Sequence, residues 1–85
     1  MRKILFTPVA FEQYNDRQEE NKQAFNKLKK LIKETAKQPF EGVGKPEPLK
    51  HDLAGCWSRR ITDEHRLIYR VKEERIEIIA CKHRY

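Results

Sequence analysis

The sequence predicts an α+β domain in which two N-terminal helices pack on one side of a small antiparallel sheet, in the order β-α-α-β-β-β. Three observations predict it. Apolar residues recur at three- and four-residue steps only before Pro39, and period-two alternation dominates after Cys56. A chain of 85 residues can also bury one modest core and no second domain, so residues 1–85 are read as a single unit.

Each element has a local cause. Residues 2–6 form a short β-branched and aromatic run ending at Thr7-Pro8, which reads as an opening strand. Thr7 can cap a helix whose first position is Pro8, because proline's missing N–H is harmless there. That helix is expected to run from about Pro8 to Glu19, with Val9, Ala10, Phe11 and Tyr14 making only a partial stripe. Asn21 is a fair cap for a second helix, in which Ala24, Phe25, Leu28, Leu31, Ile32 and Thr35 define a buried face. Lys22, Lys27, Lys29, Lys30 and Lys33 fall opposite, on a face expected to be solvated. Pro39 stops the helix, and Pro39–Pro48, with Gly42, Gly44 and Pro46, reads as a loop without regular structure. Three strand-like runs follow, at Cys56–Ile61, Arg66–Lys72 and Arg75–Lys82, and their short connections imply antiparallel hairpins.

Composition narrows the function. The formal charge is +6 with 38% charged residues, which suggests a folded surface that meets a polyanion. No apolar run approaches the roughly 20 residues that span a bilayer, and the N-terminus lacks the apolar stretch of a secretory signal. The reading is a cytoplasmic protein with no membrane partner. Cys56 and Cys81 are expected to be reduced, and the scattered His51, His65 and His83 give little support to a metal; no cofactor is expected.

Arginines on central strands must face solvent, an ion pair or a ligand, and Arg60 and Arg66 could clamp phosphate oxygens if Asp63, Glu64 or Glu77 do not pair with them. Lys50 and His51 add cationic or titratable groups, and Lys82-His83-Arg84-Tyr85 ends the last strand. Glu47, flanked by Pro46 and Pro48, is a carboxylate on a stiffened segment. Near Arg66 and His83 it would complete a base, a charge stabiliser and an acid, the minimum for cleaving RNA without a metal.

The run from Pro39 to Leu53, with Gly44-Lys45-Pro46-Glu47-Pro48-Leu49-Lys50, and the run Ser58-Arg59-Arg60-Ile61-Thr62-Asp63-Glu64-His65-Arg66-Leu67 resemble the YoeB (Txe/YoeB) toxins of the RelE/ParE superfamily. The resemblance extends over essentially the whole chain. It implies a toxin of a type II toxin–antitoxin pair: a metal-independent mRNA interferase that cuts mRNA in the A site of the 70S ribosome and is neutralised by a YefM-like antitoxin. It also makes a homodimer plausible. It puts the general base on Glu47 and the transition-state arginine on Arg66, with Lys50, Arg60 and Tyr85 as substrate-side groups. His51 joins them by its place beside Lys50.

At the general acid the chain departs from the family pattern. Family members usually end in His-Tyr, whereas this chain ends His83-Arg84-Tyr85. On an extended tail His83 and Arg84 point to opposite sides, so His83 needs a bulge or a turn to reach the site. The alternatives are His83 displaced into the site, Arg84 substituting with slower cleavage, or impaired activity. A different class of function stays open beside these: a noncatalytic RNA- or ribosome-binding protein, or a ParE-like inhibitor, on the same fold.

Overall fold

In the computed structural model, which describes residues 1–84, Thr7 and Asn21 start the two helices. The Thr7 hydroxyl accepts the Ala10 amide at 3.1 Å and opens α1, Pro8–Glu20. The Asn21 carboxamide accepts the Ala24 amide at 3.0 Å and opens α2, Lys22–Lys37. Both caps supply acceptors to N–H groups that a first helical turn leaves without partners. The α2 stripe is buried as expected, with Ala36 added, while Lys22, Lys27, Lys29, Lys30 and Lys33 stay exposed. Along α1 only Ala10 and Arg17 are buried, which is what a partial stripe permits.

The sheet has five strands: β1 (Lys3–Phe6), β2 (Glu47–Pro48), β3 (Trp57–Arg60), β4 (His65–Val71) and β5 (Arg75–Arg84). Their spatial order is β1-β5-β4-β3-β2. From β2 onward neighbours are antiparallel, but β1 runs parallel to β5, so the sheet is mixed rather than wholly antiparallel. The hairpin constraint applies only where two strands are joined by a short turn. β1 reaches β5 from the far end of the chain and is free of it.

A second departure is β2 itself, inside the segment expected to be irregular. Leu49 donates its N–H to the Cys56 carbonyl at 2.9 Å, and Glu47 lies opposite Ser58. The alternate residues Pro46 and Pro48 turn their nitrogens to the open side of this edge strand, where a missing donor breaks no ladder bond. A single 3-10 turn, His51–Leu53, then leads toward β3.

The core fills the space between helices and sheet, with Ala10, Leu28, Leu31 and Ile32 meeting Leu67, Tyr69, Ile76, Ile78 and Cys81. Arg59 shares this face and is 0% exposed, against the expectation that a strand arginine must reach solvent, a carboxylate or a ligand. Its guanidinium donates to the Tyr69 hydroxyl at 3.2 Å and to the carbonyls of Val43 at 3.0 Å, Glu41 at 3.0 Å and Gln38. Tyr69 in turn donates to the Pro39 carbonyl at 2.7 Å. One buried side chain thus ties down the loop that delivers Glu47. Gly44 completes the tie. Its φ is +84°, its carbonyl accepts the Arg60 amide at 2.7 Å, and a Cβ there would lie 2.8 Å from Leu31 Cδ2.

Candidate active site

Directly opposed residues in a ladder project to the same face of the sheet. Glu47, Ser58, Ile68 and Ala80 form one such row across β2, β3, β4 and β5. Arg60, Arg66 and His83 form the next. Residues 58 and 60, like 66 and 68, are two apart on one strand, so both rows lie on one face. That face is turned away from the helices, because Arg59, Leu67 and Tyr69 alternate to the helical side. Glu47 and Arg60 are exposed, while Arg66 and His83 are half-buried.

His83 comes opposite Arg66 through irregularities in β5. Ile68 and Tyr69 are consecutive, but their partners Ala80 and Ile78 are not, so Ile79 is an extra residue. Between the pairs Arg66–His83 and Ile68–Ala80, Leu67 faces both Cys81 and Lys82, a second bulge. Cys81 is in the core and Lys82 pairs with Glu20 of α1 at 2.8 Å, so both point toward the helices. Each extra residue inverts the alternation beyond it. Two inversions cancel in facing and shift the register by two, so that His83 rather than Cys81 stands opposite Arg66, while Arg84 takes the helical side beside His65. Arg84 lies 3.5 Å from Glu64 and lines an open cleft of about 570 Å³ with Glu12, Asp16, Glu20, His65 and Lys82.

Lys50 and His51 stand just past β2, exposed, in and beside the 3-10 turn; His51 holds a φ of +59°. Tyr85 lies outside the described residues. Trp57 is on the helical side, its ring 5.0 Å from Phe40. Two of the three carboxylates considered as partners for the site arginines are engaged elsewhere as well, Glu77 with Arg75 at 2.9 Å and Glu64 with Arg84. Three positions that hold the site together escaped the sequence reading: Arg59, Arg17 and Gln13. Arg17 had no signal beyond its place seven residues from Ala10 on α1.

Burial and one ion pair shift the titration of groups around this end of the sheet. Burial pushes the Cys81 thiol up to about 12, against the pull of Arg17. It holds His65 below its ordinary value, with Arg17 and Arg84 adding to the effect. The hydrogen bond from Lys82 lowers Glu20. Cys56 and Cys81 are buried free thiols, and among the described residues no group of three His, Cys, Asp or Glu side chains is arranged to hold a metal ion. No helix among them is long and apolar enough to cross a membrane. A carboxylate, two guanidinium groups and an imidazole on one face can take a proton, neutralise a phosphorane and return a proton.

The family model for the YoeB-like toxin of bacterial type II toxin-antitoxin systems matches residues 6–85. The toxin YoeB of Escherichia coli K12 is 48% identical over 83 residues, covering 98% of this chain and 99% of the relative. Among solved structures, the heterotetrameric YoeB–YefM toxin–antitoxin complex of Staphylococcus aureus superposes with a TM-score of 0.88 at 43% identity, covering 100% of this chain and 99% of that one. The YoeB dimer of the same organism superposes at 0.90 and 44%, covering 99% and 98%. Fold and match together define the toxin of a type II toxin–antitoxin system. Within that class, the chain belongs to the YoeB family.

Proposed function

We propose that this toxin is a ribosome-dependent endoribonuclease that cuts mRNA in the ribosomal A site and thereby inhibits translation. Glu47 takes the proton of a ribose 2′-OH, and that oxygen attacks the adjacent phosphorus. Arg66 and Arg60 neutralise the charge that builds on the phosphorane oxygens. As the bond from phosphorus to the 5′ oxygen breaks, His83 protonates the departing oxygen. The products are a 2′,3′-cyclic phosphate and a 5′-hydroxyl. RNA supplies its own nucleophile, so the reading needs no metal.

The observation that carries the proposal is the shared face of Glu47, Arg60, Arg66 and His83. Lys50, His51 and Tyr85 are assigned to the substrate backbone and bases around it. The partners in this reading are mRNA, the ribosome and a YefM-like antitoxin. The antitoxin is carried over from the Staphylococcus aureus complex, and a homodimer from the dimer of its relative. The +6 charge suits both a ribosomal surface and an acidic antitoxin segment.

Primer extension on an mRNA translated by purified ribosomes tests the reading. The native chain is expected to give ribosome-dependent cuts, and Glu47→Ala to lose them by on the order of 100-fold or more while still co-sedimenting with ribosomes. Ribosome binding by the native chain with no cuts would replace the enzyme with a noncatalytic binding protein.

A further inference from the structure

Beyond Phe6 no strand among the described residues covers the outer edge of β5, and its amides there need another acceptor. Gln13 on α1 provides it. Its Oε1 accepts the Cys81 N–H at 2.7 Å and the Lys82 N–H at 3.2 Å. These are the two residues that face Leu67 together. In regular strand the N–H groups of consecutive residues point to opposite edges, so one oxygen cannot receive both. Gln13 therefore binds the bulged form of β5 and loses one of its two bonds in the straightened form. Arg17 Nε, one turn along α1, lies 3.5 Å from the Cys81 carbonyl, and Glu20 receives the Lys82 ammonium at 2.8 and 3.0 Å. A single helix face grips the bulge at backbone and side chain.

The alternative register follows by counting. With the second bulge removed and the pair Ile68–Ala80 kept, Leu67 would face Cys81, Arg66 would face Lys82, and His65 would face His83. Lys82 and Arg84 would then share the Arg66 face, and His83 would turn toward the helices. Both replacements are poorer acids for the 5′ oxygen than an imidazolium, because guanidinium and ammonium groups hold their protons more tightly near neutral pH.

We propose that Gln13 is a positioning residue for the cleavage reaction: by holding the Cys81–Lys82 bulge it selects His83, rather than Lys82 or Arg84, as the group beside Arg66. The proposal rests on the interferase reading for its catalytic consequence, but its structural half stands apart from it. When His83 is held in place, its imidazolium passes a proton to the 5′ oxygen as that oxygen leaves phosphorus, and the base form is reprotonated from solvent.

The experiment compares the native chain with Gln13→Leu, which removes the acceptor, and Gln13→Glu, which keeps an oxygen able to receive both amides. Cross-strand backbone nuclear Overhauser contacts of Arg66 report the register. Cleavage on the ribosome is followed with an ordinary mRNA and with one carrying sulfur in place of the 5′ oxygen at the cut, since a thiolate leaves without being protonated. Gln13→Leu is expected to move the Arg66 contacts from His83 to Lys82. It should lose on the order of 100-fold on the ordinary mRNA, the size of a general-acid contribution, and little on the sulfur substrate. Gln13→Glu should keep the register and the activity. Arg66–His83 contacts that persist in Gln13→Leu, or equal losses on both substrates, would overturn the proposal. If the native chain cuts neither mRNA, the interferase reading falls, and the Overhauser contacts alone decide whether Gln13 sets the register.

Discussion

Four oxygens, three of them backbone carbonyls, receive the fully buried guanidinium of Arg59, and no carboxylate pairs with it among the described residues. A buried cation is tolerated only where its hydrogen bonds are made, and here making them closes the loop from Gln38 to Val43. Arg59→Ala would strand several buried acceptors, and the expected loss in urea unfolding is about 3 kcal/mol or more. Arg59→Lys should recover only part of it, because one ammonium cannot reproduce a planar fork of donors. Alternation puts Arg59 on the same face as Trp57 and Ile61, the helical side, although a strand arginine is expected to meet solvent, an ion pair or a ligand. Alternation reveals the face a side chain takes. It does not reveal that a loop twenty residues upstream will fold its carbonyls over that side chain. The stiffness of the segment that carries Glu47, by contrast, is legible, because Pro46 and Pro48 flank it whatever it pairs with.

At the scale of elements, the helices were legible almost to the residue, since Thr7-Pro8 and Asn21 are local cap signals and the α2 stripe is strong. The boundaries that moved are those set by partners. β2 exists because β3 offers a ladder, and β5 runs on to Arg84 because β4 pairs with it through His65. The bulges that place His83 were stated in advance only as a requirement, because no local residue pattern in Ile79–Lys82 encodes them. The contacts that hold the Cys81–Lys82 bulge come from Gln13, Arg17 and Glu20 on α1. The connection before β2 carries a prediction of its own. Gly42, Gly44 and Lys45 all have positive φ, and Gly44 also lacks room for a Cβ against Leu31. Gly44→Ala is expected to lower stability by at least about 1 kcal/mol from backbone strain alone. It should lower cleavage further than the loss of folded protein explains, read as activity per folded molecule, because the displaced segment ends at Glu47.

For the whole molecule, the fold class followed from length and alternation, whereas the parallel placement of β1 did not. Non-local pairing of a four-residue strand leaves no mark in its own sequence. The pH dependence of stability is also a global readout. His65 is held below its ordinary 6.5, so the unfolded chain takes up its proton first as pH falls. The sign follows: this contribution leaves stability intact above about pH 6.5, erodes it below, and levels off once the folded protein is protonated too. The urea midpoint should therefore drop between pH 7.5 and 5.5, and His65→Gln should lessen that drop.

The central claim is that the face shared by Glu47, Arg60, Arg66 and His83 is the cleavage site of the proposed interferase, with Arg84 turned away from it. Primer extension on ribosome-bound mRNA, comparing the native chain with His83→Ala and Arg84→Ala, tests it most directly. Cuts that fall on the order of 100-fold for His83→Ala and only slightly for Arg84→Ala are the predicted result. The reverse ranking, with Arg84→Ala abolishing cleavage and His83→Ala cutting as the native chain does, would contradict it.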